Sequence, residues 1–464
     1  MAPRTKKLFR TLGIIAVVLL ALLMALVGRI DRTPLTEQKF YQQAMAELDS
    51  IEIPATQAMQ LKSGWAKINI TPKGQMPMAG YMKRNHYDSI HDSLYIRIIK
   101  FESANQTVAL INADLLLFPP ALKQRLQEKL EAKGLNTFLY LSASHTHTSI
   151  GAWDESLVGQ YALGEFDYEW INQTADAILH SIQAIQTMSS SIQYWESNAD
   201  ELVINRIAQQ RGKKDGKVRG FFLQRADSSK ACLFTFSAHA TTITKTNHVL
   251  SGDYPSVVIK QLENTEGGVN FAMFMAGMVG SHSFAPMPPE IEFELVQKES
   301  SWLIESLTPM SVSTAIDSPI ISKVQYTIPF GPAQLRLGND WKVRNWAFNG
   351  VLGGLAGELT YLRIGNILMI GTPCDFSGEI AVTQKLHDYA KAKGLNLIIT
   401  SFNGNYVGYI TYDGHYDSIQ RTEVREMNWV GPYHGQYFAD MIKKLIDRSP
   451  RSTVRGQQTI TYED

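Results

Sequence analysis

The apolar positions of this chain fall into short runs that stop abruptly at small polar residues, histidines or acids. One run, residues 137–141, is β-branched and aromatic and follows Gly134. It gives way to Ser142-Ala143-Ser144-His145-Thr146-His147. The pattern predicts a buried strand with two histidines at or just past its carboxyl end. In extended backbone, residues two apart face the same side, so both imidazoles would reach one point. Similar runs predict strands over residues 65–70, 94–101, 107–112, 220–224, 231–237 and 271–275, and an extended piece over 320–329. Helical spacing predicts helices over 120–133, 166–187 and 293–307, and another starting after Asp253-Tyr254-Pro255. Alternation of the two kinds of element predicts an α/β fold, a mixed β-sheet core flanked by helices.

A short internal similarity sharpens this picture. Glu131-Ala132-Lys133-Gly134-Leu135-Asn136 recurs as Lys391-Ala392-Lys393-Gly394-Leu395-Asn396. Each copy follows a helical stretch and precedes an apolar run, and upstream of each lies a strand ending near an acid, Asp114 or Asp375. If the two units are equivalent, two polar loops sit at equivalent strand ends, where α/β sheets place their chemistry. One loop carries His145 and His147; the other runs from Asn403 to Tyr409.

The amino-terminal stretch reads differently. Residues 11–28 carry no charge and are almost all apolar, and Lys6, Lys7 and Arg10 precede them. A helix of that length rises about 27 Å, enough to cross the hydrocarbon core of a bilayer. The expected organisation is a cytoplasmic amino terminus (1–10), a transmembrane anchor (11–28), a stalk (29–61), a compact domain (62–450) and a polar tail (451–464). The basic flank predicts a single-pass protein with its compact domain on the extracytoplasmic side. A cleaved signal peptide is the alternative, but no convincing small-residue cleavage site follows the run.

Composition removes some classes. Of 464 residues, 44 are Lys or Arg and 44 are Asp or Glu, so the formal charge is zero. That balance argues against a nucleic-acid partner, which requires a basic face. Cys232 and Cys374 cannot form a disulfide scaffold; Cys232 lies in an apolar run and reads as a buried small hydrophobe.

Four polar interruptions of apolar runs stand out: Ser144 to His147, Ser237-Ala238-His239-Ala240, Pro373-Cys374-Asp375-Phe376-Ser377 and Tyr406-Val407-Gly408-Tyr409. Histidine with carboxylate is a donor set suited to zinc. Spacing alone leaves metal ligation and ordinary strand-end hydrogen bonding both open. Asp114 and Asp253 read most simply as helix caps. Met273, Met275, Met278 and Met287 read as core, with an acyl-chain pocket as the alternative.

Taken in order, these motifs resemble the neutral/alkaline non-lysosomal ceramidase family, in its N-terminal catalytic domain. Ile70-Thr71-Pro72, Gly80-Tyr81, His91-Asp92-Ser93-Leu94, Asn112-Ala113-Asp114 and Ile204-Asn205-Arg206 join the four stretches above. The most specific is Ser144-His145-Thr146-His147-Thr148-Ser149, similar to the family's Thr-His-Thr-His-Ser-Gly. The resemblance implies a Zn2+-dependent hydrolase that cleaves the N-acyl bond of ceramide or a similar lipid-like small molecule. It implies metal ligands His145, His239, Asp375 and Tyr409. His147 would be catalytic beside the metal, Arg206 would act on and bind substrate, and Tyr409 would also be catalytic by stabilising the oxyanion; His282, in the altered loop 276–282, is a candidate substrate contact by position. The chain departs from the family pattern: Asp375 stands where the family has Glu, and Met278 and Gly280 replace an acid and a serine in the loop 276–282. It therefore reads as a divergent, short member. Two alternatives stay open: a zinc hydrolase of a more polar ester or amide, and a non-catalytic, membrane-anchored binding protein on the same fold.

Overall fold

The computed structural model describes residues 3–81, 86–103, 106–288, 291–308 and 310–450; the expected polar tail, 451–464, lies outside them. In chain order the main elements begin with α1 (Pro3–Leu26), α2 (Lys39–Ser50), β1 (Ala55–Gln57), β2 (Lys62–Asn69), β3 (Tyr95–Ser103), β4 (Gln106–Ala113), α3 (Pro120–Ala132) and β5 (Thr137–Ala143). They continue with α4 (Tyr168–Ala184), β6 (Met188–Asn198), β7 (Lys217–Arg225), β8 (Lys230–Phe236), α5 (Asp253–Asn264), β9 (Phe271–Ala276) and α6 (Glu292–Glu305). The last are β10 (Ile320–Thr327), β11 (Glu358–Ile364), β12 (Ile367–Gly371), α7 (Gly378–Thr383), α8 (Leu386–Lys391), β13 (Asn396–Thr400) and α9 (His434–Asp447).

The larger sheet, nine-stranded among the described residues, runs β9-β8-β7-β6-β2-β3-β4-β5, with the short piece Ser311–Val312 against β6. The smaller runs β1-β10-β11-β12-β13. Strand alternation shows how they stack. In β4, Val108 and Leu110 join one apolar cluster while Ala109 and Ile111 join another; in β12, Ile367 and Met369 separate from Leu368 and Ile370 in the same way. The cluster shared by both sheets lies between them. The other two lie on the outer faces, under α3–α6 on the large sheet and under α2 and α7–α9 on the small one. Two-faced burial explains why these strands read as continuous apolar runs. Met273 and Met275 sit between the sheets and Met278 in the small-sheet cluster, so the methionines act as packing. Cys232 and Cys374 are buried, unbridged and in different clusters.

The internal similarity corresponds to a repeated unit. β4 pairs parallel with β5, and β12 pairs parallel with β13. Gly134 and Gly394 both take positive φ, 64° and 75°. Leu135 N and Leu395 N each reach back 3.0 Å to a helical carbonyl, of Leu130 and Ala390. This is the left-handed helix ending that favours glycine. The units face each other across the sandwich, where Tyr140 Oη meets Thr400 Oγ1 at 2.8 Å. At their carboxyl ends, Ser142 Oγ donates to Ser401 O (3.0 Å), and Ser401 Oγ donates to Gly277 O (2.7 Å). The carboxyl ends of β5, β9 and β13 are thereby stitched together.

The amino-terminal region differs from expectation. The apolar helix starts at Pro3 and ends at Leu26, and Val27–Arg29 forms a strand against Trp341–Val343. Within it, Phe9–Leu26 has the length and composition of a membrane span, and none of that stretch is buried in the protein. Residues 29–61 are not a free stalk. α2 buries Ala44 and Leu48 beside α9, and β1 pairs with β10. The cause is an apolar stripe, Phe40, Ala44 and Leu48, spaced one helical turn apart. Leu48→Ala is expected to destabilise the full chain by about 2–5 kcal/mol, read by thermal unfolding in detergent; an unchanged midpoint would return this segment to a stalk.

Candidate metal centre

The four polar loops meet at the carboxyl ends of the two sheets. His145 and His147 follow β5, His239 follows β8, and Asp375 follows β12 on a short strand paired in parallel register with Tyr409. His145 does not continue the extended strand: its φ is +61°, a left-handed conformation unfavourable for a residue with a side chain. The histidines therefore converge for a different reason than strand periodicity. His145 N donates to Leu115 O at 3.1 Å, its Nδ1 lies 2.6 Å from Leu116 O, and its ring stacks on Phe402 at 4.2 Å. His147 N donates to Ala240 O at 3.2 Å, tying the β5 loop to the β8 loop. Gly80, with φ +112°, passes so close that a Cβ would stand 2.2 Å from His147 O, which accounts for glycine there.

His239 Nδ1 lies 2.7 Å from Val279 O. A carbonyl only accepts, so Nδ1 carries a proton in His145 and His239, and in each ring Nε2 is the nitrogen turned into the site. His147 Nε2 is 3.2 Å from His145 Nε2. Asp375 Oδ1 is 3.3 Å from Nε2 of both His145 and His239. Asp375 Oδ2 accepts from Tyr406 Oη at 2.7 Å, whereas Oδ1 is buried without a hydrogen-bond partner. Arg206 donates to Tyr409 Oη (3.0 Å) and to His239 Nε2 (3.1 Å), and pairs with Glu423 at 3.4 Å. Tyr409 Oη lies 3.1 Å from His239 Nε2.

These donors fit a divalent ion. His145, His147 and His239 form a group that could hold a metal, with donor atoms within 4.8 Å of one another. Ligands about 2.0–2.1 Å from a tetrahedral ion lie about 3.3–3.4 Å apart, close to the spacing of Asp375 Oδ1 from the two Nε2 atoms. Protonation agrees. Burial, then the neighbouring Arg206, push His239 down to about 3. Burial, then His145 and His239, push His147 well down. Burial opposes the Asp375 carboxylate, but His145 and His239 outweigh it and hold the group well below the usual carboxylate range. Neutral imidazoles and an anionic carboxylate are the forms that bind a cation.

His145, His147, His239, Asp375, Tyr409 and Arg206 are thus brought together. His282 does not join them: it is fully buried, its Nε2 accepts from Asp215 N at 3.0 Å, and Nδ1 meets Ser281 Oγ at 3.1 Å. Its contribution is through the main chain, since His282 O accepts from His239 N and Ser281 O from Arg206 N. Asp114 and Asp253 are not helix caps. Asp114 accepts from Tyr95 N, and Asp253 accepts from Ile243 N and Tyr254 N, so each ties a loop in place. Gly280 cannot carry the family's serine in this backbone, because a Cβ would stand 2.4 Å from Asp375 O. Sequence reading missed Tyr406 and Glu423 as partners of Asp375 and Arg206; Tyr406 lay inside a matched motif, whereas no pattern marked Glu423.

Residues 62–287 match the family described as neutral/alkaline non-lysosomal ceramidase, N-terminal. The resemblance carried by the motifs is borne out there, and Asp375 and Tyr409 lie beyond the matched stretch. The fold is similar to the crystal structure of a neutral ceramidase from Pseudomonas aeruginosa, with a TM-score of 0.68 at 18% identity over 85% of this chain and 76% of that one. A ceramidase complexed with C2 is similar at a TM-score of 0.66 and 17% identity, over 85% and 77%. No curated protein matches the chain.

Behind the site, the Asp215 carboxylate takes two bonds from Arg219, each 3.0 Å, and His387 lies 3.8 Å away. Burial opposes the ionised carboxylate, but Arg219 and His387 outweigh it and hold Asp215 well below the usual range. A depressed folded-state value means that this stability is complete above the unfolded value of about 3.9 and is lost as pH falls toward the folded one. Asp215→Asn leaves Arg219 buried without its counter-charge. The expected cost is about 3–5 kcal/mol near neutral pH, with a shallower loss of stability on acidification than wild type. Thermal unfolding as a function of pH checks both.

Proposed function

We propose that this chain is a membrane-anchored, zinc-dependent hydrolase that cleaves the N-acyl amide bond of ceramide or a similar N-acyl lipid. The observation that carries the reading is the buried, unbonded Asp375 Oδ1 facing two imidazole Nε2 atoms, in a chain whose residues 62–287 match a ceramidase family. His145, His239 and Asp375 would hold the ion, with Tyr409 as the fourth donor. Zinc in such a site supplies a nucleophile from water at neutral pH and polarises an acyl carbonyl.

The chain's own residues would do the rest. His147, neutral and beside the cluster, takes a proton from the attacking water and returns it to the leaving amine nitrogen. Arg206, held by Tyr409 and Glu423, orients the carbonyl oxygen or a substrate hydroxyl. The protonated Tyr409 phenol, kept so by burial, donates toward developing negative charge. Phe9–Leu26 anchors the chain, and the basic residues before it favour the catalytic domain, residues 62–450, on the extracytoplasmic side.

His239→Ala and Asp375→Asn are expected to lose both bound zinc and amide hydrolysis, while His147→Gln keeps zinc and loses about 10²–10⁴-fold in kcat. Metal content of the purified full chain and release of fatty acid from ceramide are the measurements. A His239→Ala protein that retains both ends the assignment; a His147→Gln protein that loses zinc moves His147 into the ligand set.

A further inference from the structure

Two short helices beside the site expose apolar faces. Helix Leu157–Leu163 leaves the loop that follows His147, and helix Asn345–Leu352 packs beside it; neither contains a charged residue. Leu157, Tyr161 and Trp346 are 69%, 61% and 61% exposed, and Trp341 and Val351 are exposed next to them in the chain. Exposed apolar side chains of this size, grouped on one face, imply a cover.

The connection to α1 identifies the cover. Arg344 Nε donates to Val27 O at 3.0 Å and to Met24 O at 3.3 Å, and Trp346 Nε1 donates to Ala25 O at 3.3 Å. Val27–Arg29 pairs with Trp341–Val343, and the Arg29 guanidinium lies 5.4 Å over the Trp341 ring. The last turn of the apolar helix is therefore fixed to the apolar face. A bilayer crossed by Phe9–Leu26 would end at the level of that face. Tryptophan, tyrosine and leucine beside arginine is the composition that settles at the lipid headgroup boundary. The face also backs onto the site: buried Phe348 meets Trp429 at 6.0 Å, Trp429 meets Tyr406 at 5.3 Å, and Tyr406 bonds Asp375.

We propose that the helices Leu157–Leu163 and Asn345–Leu352 seat in the interface of the leaflet at the carboxyl end of α1. The metal centre is thereby held against the bilayer, and an N-acyl lipid reaches it from the membrane rather than from water. This rests on the reading of α1 as an anchor and of the substrate as a lipid.

The test uses the full chain in phosphatidylcholine vesicles, with an environment-sensitive fluorophore on Trp346→Cys and, in a second protein, Val351→Cys. Cys232 and Cys374 are buried and so shielded from the label. Lys133→Cys, next to the amino end of β5 and so at the end of the sandwich away from His145, serves as the aqueous control. Flotation of the vesicles reads the anchor. Lipid-borne nitroxide is expected to quench the labels at 346 and 351 about twofold or more and to leave the label at 133 unchanged. A chain that floats with both labels unquenched overturns the seat and leaves the anchor standing. Labels that respond to a second copy of the chain and not to nitroxide overturn it in favour of self-association. A chain that does not float overturns anchor and seat together. Hydrolysis is not part of the readout, so failure of the ceramide reading remains a separate result.

Discussion

A buried carboxylate oxygen facing the Nε2 atoms of two imidazoles is the constraint around which this molecule is arranged. Leaving a charged oxygen in the interior without a hydrogen bond is costly unless a cation or donor completes it. Asp375 is placed so that Oδ2 is satisfied by Tyr406 while Oδ1 is aimed at His145 and His239. Both histidines have their far nitrogen fixed on a backbone carbonyl, so the near nitrogens have no freedom to turn away. The donor atoms are thus fixed in place by second contacts of their own side chains.

The sandwich exists, in functional terms, to bring those loops to one end. Parallel pairing occurs in β4/β5, β8/β9 and β12/β13, and the strands that launch His145, His239 and Asp375 belong to these pairs. Serines 142 and 401 lock three of the strand ends to one another. The left-handed backbone at His145 is tolerated because main-chain bonds, a ring nitrogen bond and a stacked phenylalanine all hold it. Local strain held by surrounding packing is a usual feature of functional loops.

Much of the fold was legible because its strands are buried on both faces and its helices carry one apolar stripe. The strands that the pattern predicts at 107–112, 231–237 and 271–275 fall within a residue or two of β4, β8 and β9. β6 escaped notice because Met188-Ser189-Ser190-Ser191 opens on polar residues, and its burial alternates instead of running continuously. The segment 29–61 reads as a stalk because its apolar stripe is short and its partner, α9, lies almost four hundred residues away in sequence. The helix Asn345–Leu352, which ties α1 to the body, gave no signal beyond an apolar composition.

The sequence by itself determined the chemical inventory: three histidines, an aspartate, a tyrosine and an arginine at the ends of apolar runs, with a family resemblance that put them in order. Those assignments depend on local pattern and residue type, and local pattern is what a sequence carries. Tertiary structure alone decided which partners close each contact, because these depend on approach between distant segments. It replaced the expected extended path at His145 with a left-handed one, withdrew His282 into a backbone support, and closed the Gly280 position to any side chain. It also bolted the foot of the apolar helix to an exposed apolar face, a juxtaposition that residue spacing cannot encode because the two contributing segments are more than three hundred residues apart.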